Sequence, residues 1–240
     1  MFQPQGGTVG NTGRMSAAIV QPLDPAHRST LMPSTPFPAR GLYAITDTDL
    51  CARHGLVNSV ESVINGGAAV IQYRNKSFDD TTRFREAGAL LQLCRDRQLP
   101  LIINDDVELA AQIAADGVHI GADDGTLGEA RSRLGDQAIV GVSCYASITR
   151  ALEAQAQGAD YVAFGSFFPS TTKPQAKPVT LAQLRQARAA LSVPIVGIGG
   201  IELSNAASLI NAGVDLIAVI SGLFAQDDPE TAARHLVALF

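Results

Sequence analysis

Tryptophan is absent from this chain, and cysteine is scarce. The three cysteines, Cys51, Cys94 and Cys144, are odd in number and show no C-x-x-C spacing. That pattern excludes a disulfide framework and argues against a cysteine-based zinc site. We therefore expect a protein of the reducing cytoplasm.

Long apolar runs and an excess of basic residues are also missing. No run approaches the roughly 20 residues that a membrane helix requires. The amino terminus lacks the charged-then-apolar order of a secretory signal. The formal net charge is −5, without a basic stripe, which argues against nucleic acid and anionic membranes as partners. Small-molecule substrates are the expected ligands. The sequence is compatible with a homo-oligomer but does not decide the oligomeric state.

The first 40 residues differ in composition from the rest of the chain. They contain six of the twelve prolines and four glycines, with little periodicity. We interpret residues 1–40 as a proline-rich N-terminal extension, largely disordered or loosely packed up to about Thr35. Residues 41–240 then form the catalytic domain. At 240 residues and 46% hydrophobic, the chain is long enough for one large core.

From Gly41 onward, short apolar runs alternate with helix-like stretches. This alternation indicates parallel βαβ units, and eight runs favour a single α/β domain, a (β/α)8 TIM barrel. An open doubly wound sheet is the alternative, but Gly197-Ile-Gly199-Gly200 does not complete a G-x-G-x-x-G fingerprint. The predicted strands are Leu42–Thr46, Ala69–Arg74, Leu101–Asn104, Val118–Ile120, Ile139–Ser143, Tyr161–Gly165, Ile195–Gly199 and Leu216–Ile220.

The polar residues of interest follow these strands, where barrels of this kind hold their active sites. On the second strand, Val70, Gln72, Arg74 and Lys76 share one side, because successive strand residues face opposite ways. Two cations and an amide on one face favour an anion site. A solvated strand end is the simpler alternative.

Carboxylates follow the third and fourth strands, at Asn104–Asp105 and Asp123–Asp124. Neighbouring strands lie about 4.8 Å apart, so these groups can converge on one cation. Magnesium accepts one or two carboxylates and fills its other positions with water and phosphate. Without a metal the acids would face solvent. Asp106 and Asp123 are expected to do so and to help start the helices that follow.

Two further elements complete the predicted mouth. Gly199–Gly200 and Ser221–Gly222 follow the last two strands, where such barrels frequently bind phosphate through main-chain N–H groups. Tight turns are the alternative. The loop after the sixth strand carries Ser170, Thr171, Thr172 and Lys173, which suit either a lid over an anion or a mobile surface loop. His119 points into the barrel, as a structural residue or as part of the site.

Together these residues resemble the thiamine-phosphate synthase family over roughly residues 41–240. The Asn-Asp and Thr-Lys elements are the specific ones, whereas the glycine elements recur among phosphate-binding barrels. The matching segments are Gly-Leu-Tyr-Ala-Ile-Thr-Asp (41–47), Val-Ile-Gln-Tyr-Arg-Asn-Lys (70–76), Leu-Ile-Ile-Asn-Asp (101–105), Asp-Gly-Val-His-Ile-Gly (116–121), Gly-Val-Ser (141–143), Gly-Ala-Asp-Tyr-Val (158–162), Phe-Pro-Ser-Thr-Thr-Lys (168–173), Val-Gly-Ile-Gly-Gly-Ile (196–201) and Val-Ile-Ser (219–221).

The resemblance implies a transferase that joins 4-amino-2-methyl-5-hydroxymethylpyrimidine diphosphate to a thiazole phosphate and releases diphosphate. It implies one Mg²⁺ ion per subunit, held by Asp105 and Asp124. Lys76, Ser143 and Lys173 would take part in the chemical step. The substrate-binding residues that it implies are Gln72, Tyr73, Arg74, Asn75, Lys76, Asn104, Ser143, Ser170, Thr171, Thr172, Lys173, Gly200, Ile220 and Ser221.

Two other kinds of barrel compete with this interpretation. A thiazole tautomerase shares much of the frame, but it should lack the carboxylate pair and the basic residues that this chain keeps. Another phosphate-binding barrel isomerase would share the glycine site, but it would need metal-binding histidines or catalytic acids at other strand ends. A non-catalytic binding protein would need only the glycine site.

Overall fold

The structure is a computed structural model that describes residues 35–77, 79–169 and 178–240. These residues belong to one compact unit, Met32–Phe240. Residues 1–34 of the predicted extension lie outside the described residues. No helix in the described part of the chain is both long and apolar enough to cross a membrane.

Eight parallel strands form a closed barrel, and each strand pairs with the next until β8 pairs with β1. The predicted (β/α)8 fold is thus confirmed, with strand ends within two residues of the expected positions. The strands are β1 (Gly41–Ile45), β2 (Val70–Tyr73), β3 (Leu101–Asn104), β4 (Gly117–Ile120), β5 (Ile139–Tyr145), β6 (Tyr161–Gly165), β7 (Ile195–Ile198) and β8 (Leu216–Val219).

Helices follow the strands and cover the outside of the barrel. Polar caps start most of them. Asp106, for example, accepts a hydrogen bond from Leu109 N at the start of α4, as expected from the sequence. The helices are α1 (Thr48–Cys51), α2 (Leu56–Asn65), α3 (Asp80–Asp96), α4 (Val107–Ile113), α5 (Leu127–Leu134), α6 (Ile148–Ala156), α7 (Leu181–Ala190), α8 (Leu203–Ala212), α9 (Ser221–Phe224) and α10 (Pro229–Val237).

The strands are apolar on both faces because they separate two cores. The larger core lies between the barrel and its helices, and the smaller one fills the barrel interior. Tyr43, Val70, Ile102, Tyr161 and Leu216 are among the interior residues. All three cysteines are buried, and none of them forms a disulfide.

Aspartates at the starts of β4, β6 and β8 connect neighbouring strands at the amino-terminal end of the barrel. The carboxylates of Asp116, Asp160 and Asp215 accept hydrogen bonds from the main-chain N–H groups of Leu101, Val140 and Ile195. Each bond joins the even-numbered strand to the strand before it. This contact gives a structural reason for the aspartate in the Gly-Ala-Asp and Gly-Val-Asp segments that precede β6 and β8.

Two residues beside the barrel differ from what the sequence alone suggests. Phe84 on α3 is 40% exposed, although its spacing with Ala87 and Leu91 favours the buried face. Arg83 on the same helix is half-buried and pairs with Asp106, so Asp106 does not face solvent as the sequence predicted. The carboxylate on the neighbouring β3–α4 turn gives the half-buried guanidinium group a partner of opposite charge.

Candidate active site

The carboxyl ends of all eight strands meet at one rim, because every strand runs in the same direction. Eight strands about 4.8 Å apart and tilted by about 36° enclose a barrel about 15 Å wide. Residues after β2, β3 and β4 therefore face residues after β7 and β8 across the mouth. We call these two sets the acid–base edge (Arg74, Lys76, Asp105, Asp124) and the glycine edge (Gly199, Gly200, Ser221, Gly222).

Arg74 and Lys76 extend from the end of β2 and both meet carboxylates. The Arg74 guanidinium lies 3.4 Å from Asp47 Oδ2, and its main-chain N–H donates to Thr46 Oγ1 at 2.9 Å. Lys76 Nζ lies 2.7 Å from Asp105 Oδ2 and is 60% exposed. Both cations therefore lie at the mouth, and Lys76 remains accessible to a ligand.

Tyr73 and Asn75 differ in position from their neighbours on the same segment. Tyr73 faces the helices, where its hydroxyl donates to Glu86 Oε2 on α3 at 2.7 Å. Asn75 donates to the same oxygen at 3.0 Å and accepts from Ser77 N at 2.8 Å. Their side chains support the loop that carries Arg74 and Lys76, and the Tyr73 side chain is not brought to the mouth.

Asp105 and Asp124 meet at the rim, although they are 19 positions apart in the sequence. Their carboxyl groups lie close enough that each shifts the pKa of the other. Asn104 Nδ2 donates to Asp105 Oδ2 at 2.6 Å, and the main-chain N–H of Gly121 donates to Asp124 Oδ2 at 3.0 Å. Asp105 has a φ of 64°, a left-handed conformation that costs energy outside glycine. Asp123 is exposed.

The two carboxyl groups have pKa shifts of opposite sign. Burial raises the pKa of Asp105, but the Lys76 ammonium, Asp124 and Asn104 together lower it by more. The pKa of Asp124 is raised, first by burial and then by its hydrogen bond to Asp105 and the charge of that residue. Of the two, Asp105 is therefore the stronger acid.

A divalent cation fits this donor set. Magnesium is commonly held by one or two carboxylates together with water and phosphate oxygens, and Asp105 and Asp124 supply two carboxylates in mutual contact. Within the described ranges, no group of three or more His, Cys, Asp or Glu residues could hold a metal ion. Any ion bound here would take its other ligands from water or substrate.

The glycine edge is tightly packed. Gly200 has a φ of 63°, and a Cβ there would lie 2.3 Å from Pro169 O. A Cβ on Gly222 would lie 2.7 Å from Ile201 O, so the loop after β7 contacts the start of α9. Ile220 packs against the interior core, and Ser221 begins α9 with an exposed side chain. Only glycine allows these main-chain groups to approach so closely.

Comparisons with known proteins agree with this arrangement. Residues 42–223 match the family model described as thiamine monophosphate synthase. The chain belongs to this family. A thiamine-phosphate synthase of Methylococcus capsulatus is 51% identical over 205 residues, covering 85% of this chain and 91% of that protein. The corresponding enzyme of Nitrosococcus oceani is 53% identical over 194 residues, covering 81% and 89%.

A solved structure of a relative has the same fold. Thiamine phosphate pyrophosphorylase from Pyrococcus furiosus superposes with a TM-score of 0.76 at 35% identity, covering 84% of this chain and 95% of that one. As a member of the thiamine monophosphate synthase family, the protein is an enzyme, a transferase of thiamine biosynthesis.

Most of the loop after β6, which was expected to cover the mouth, lies outside the described residues. Ser170, Thr171, Thr172 and Lys173 lie outside the described residues. The residues on either side of the loop are described, and Val179 N donates to Ser166 O at 2.8 Å. The predicted roles of these four residues stay predictions.

The sequence analysis did not predict a chain of hydrogen-bonded side chains inside the barrel. Gln72 Nε2 donates to Tyr43 Oη at 2.8 Å, and Tyr43 Oη lies 2.8 Å from Tyr161 Oη. Tyr161 Oη lies 3.0 Å from His119 Nδ1, and His119 Nε2 lies 2.8 Å from Ser143 Oγ. The chain links two predicted substrate-binding residues, Gln72 and Ser143. Burial raises the pKa of both tyrosines, so both are neutral phenols.

Two residues outside the predicted set support this chain. Phe37 stacks on the Tyr161 ring, with centroids 4.1 Å apart and planes 4° apart. Arg150 on α6 donates to the main-chain carbonyls of Ser143 and Gly121 at 2.8 and 3.1 Å, which ties the end of β5 to the end of β4. Tyrosines on the otherwise aliphatic inner faces of β1 and β6 were the available signal in the sequence.

Proposed function

We propose that this enzyme joins 4-amino-2-methyl-5-hydroxymethylpyrimidine diphosphate to a thiazole phosphate, forming thiamine phosphate and diphosphate. The observation that carries the proposal is the acid–base edge, where paired carboxylates and two cations share the rim with a glycine edge. A transferase with two phosphorylated substrates needs two separate anion sites, and the acid–base edge and the glycine edge are proposed to supply one each.

Asp105 and Asp124 would hold one Mg²⁺ ion at the acid–base edge. When bound, the ion would neutralise charge on the diphosphate group. The Lys76 ammonium, now paired with Asp105, would meet the departing diphosphate, and Arg74 would add a second positive charge beside it. Lys173, from the loop after β6, is proposed to act on the same group.

The pyrimidine ring is proposed to bind nearer the barrel interior. Gln72 is buried and Asn104 half-buried, and each carries an amide suited to a heterocycle or a phosphate oxygen. Ser143 presents a hydroxyl at the end of β5. Departure of diphosphate would leave a cation at the methylene carbon, which the amino group of the ring can stabilise.

The glycine edge is proposed to anchor the phosphate of the thiazole. Gly200 and Ser221 would offer main-chain N–H groups, with Ile220 against the ring, and Ser170, Thr171 and Thr172 would add hydroxyls. An anchored phosphate would hold the thiazole nitrogen close to the methylene carbon, so that attack becomes effectively unimolecular. Bond formation at that nitrogen requires no general base. The cytoplasmic location stays a prediction.

Incubation of the purified protein with both substrates and Mg²⁺ tests the proposal. Thiamine phosphate and diphosphate should form in equal amounts, and neither should form when one substrate is omitted. The Asp124→Asn variant, which removes one of the two proposed Mg²⁺ ligands, should lose most of the rate. If the protein instead rearranges a thiazole substrate without release of diphosphate, it is a tautomerase and the proposal is wrong.

A further inference from the structure

The side chains inside the barrel form one continuous series of hydrogen bonds. It runs from Gln72 through Tyr43, Tyr161 and His119 to Ser143. Gln72, Tyr43, Tyr161 and His119 are at most 9% exposed. Buried polar groups of this kind require partners, so the hydrogens in the chain have to be distributed among a small number of atoms.

The distances alone allow either direction for the Tyr43–Tyr161, Tyr161–His119 and His119–Ser143 contacts, so the direction is assigned from the Gln72 end. Gln72 Nε2 donates to Tyr43, whose single hydroxyl hydrogen is then available for Tyr161. Tyr161 accepts from Tyr43 and uses its own hydrogen toward His119 Nδ1. A neutral imidazole that accepts at Nδ1 carries its hydrogen on Nε2, where it faces Ser143 Oγ at 2.8 Å.

We propose that Tyr161 holds His119 as the Nε2–H tautomer, and that His119 thereby turns the Ser143 hydroxyl hydrogen toward the mouth. His119, Tyr161 and Tyr43 are then positioning residues that make Ser143 a hydrogen-bond donor to an anionic oxygen of the diphosphate. The inference rests on the proposed function for the identity of this ligand.

The opposite direction would suit a different ligand. Ser143 would donate to His119 and present only lone pairs to the mouth, which fits an amino group and not a phosphate oxygen. The cations of the acid–base edge favour an anion. The donor direction is therefore the one that matches the charge of the site.

Nitrogen-15 NMR of histidine-labelled protein reads the tautomer directly. The signal of His119 is assigned by its loss in the His119→Asn variant. We expect the Nε2–H form in the wild-type protein and a mixture of tautomers in Tyr161→Phe, because the phenolic donor is lost. An Nδ1–H tautomer or a doubly protonated ring in the wild-type protein would overturn the inference.

Calorimetric binding of inorganic diphosphate in the presence of Mg²⁺ measures the consequence. Ser143→Ala should weaken binding about tenfold or more, as loss of a charge-assisted hydrogen bond implies. Tyr161→Phe should weaken it severalfold but add nothing in the Ser143→Ala background, because both changes remove the same bond. Independent, multiplying effects would overturn the inference.

Two controls separate this outcome from misfolding and from failure of the proposed function. Cys144→Ala alters a buried residue of β5 that faces the helices, and it should leave diphosphate affinity unchanged. Tyr43→Phe should act as Tyr161→Phe does, but more weakly. If no thiamine phosphate forms in the assay, the proposed function fails. The NMR measurement of the His119 tautomer tests the inference independently of that result.

Discussion

The ring of Tyr161 occupies the space beside Gly141 where any other residue would place its side chain. A Cβ on Gly141 would lie 2.0 Å from Cζ and 2.4 Å from Oη of Tyr161. Tyr161 is fully buried and stacked against Phe37, so it has little room to move. The interior chain of hydrogen bonds therefore requires a glycine at position 141.

Gly141→Ala should destabilise the protein by about 1–3 kcal/mol, the usual cost of overpacking a filled core. It should also lower the turnover rate at temperatures well below the melting midpoint, because Tyr161 and His119 would shift. Urea unfolding and steady-state rates measure the two effects. A variant with wild-type stability would show that the ring can move aside.

Gly88→Ala provides the matched control on α3. A Cβ at Gly88 would have no atom within 4 Å, and the position is helical. Alanine favours a helix interior by about 0.5–1 kcal/mol over glycine. We expect a small gain in the free energy of unfolding and an unchanged rate, and loss of stability at Gly88 would count against the packing argument.

Asp215→Ala should affect stability and leave chemistry alone. Asp215 Oδ2 accepts from Ile195 N and from Arg188 Nη1, both at 2.7 Å, at the amino-terminal end of the barrel. Residues at that end support the fold and not the active site. We expect a loss of about 1–3 kcal/mol with kcat unchanged within about twofold. Asp215→Asn, which keeps an acceptor oxygen, should lose less.

The cysteines should be unreactive in the folded enzyme. Burial raises the pKa of Cys51 to about 11, and that of Cys94 and Cys144 to about 12. A thiol with a raised pKa carries little thiolate at pH 8, and the thiolate is the reactive form. A colorimetric disulfide reagent should titrate three thiols only after unfolding. Rapid reaction of any thiol in the native protein would contradict this.

Gly200→Ala should weaken binding of the thiazole phosphate selectively. The left-handed φ of Gly200 disfavours alanine, and the new Cβ would approach Pro169 O to 2.3 Å. We expect the KM for the thiazole phosphate to rise about tenfold or more, with a much smaller change for the pyrimidine diphosphate. The reverse pattern would move the thiazole phosphate away from the glycine edge.

The eight strands could be predicted because parallel strands buried on both faces are continuous apolar runs with polar ends. Contact between Asp105 and Asp124 followed from the same topology, since successive strands of a barrel are neighbours. The Tyr43–Tyr161 contact could not be predicted, because it joins β1 to β6 across the interior. The prediction that Asp106 faces solvent was wrong, because its partner, Arg83, belongs to another element, α3.

Binding of Mn²⁺, in place of Mg²⁺, to the protein with inorganic diphosphate tests most directly whether Asp105 and Asp124 form one cation site. Electron paramagnetic resonance of free Mn²⁺ should show one ion bound per chain. Asp105→Asn and Asp124→Asn should each weaken this binding at least about tenfold. Asp123→Asn, which changes the adjacent exposed carboxylate, should bind as the wild type does. Wild-type Mn²⁺ affinity in both the Asp105 and Asp124 variants would contradict the account.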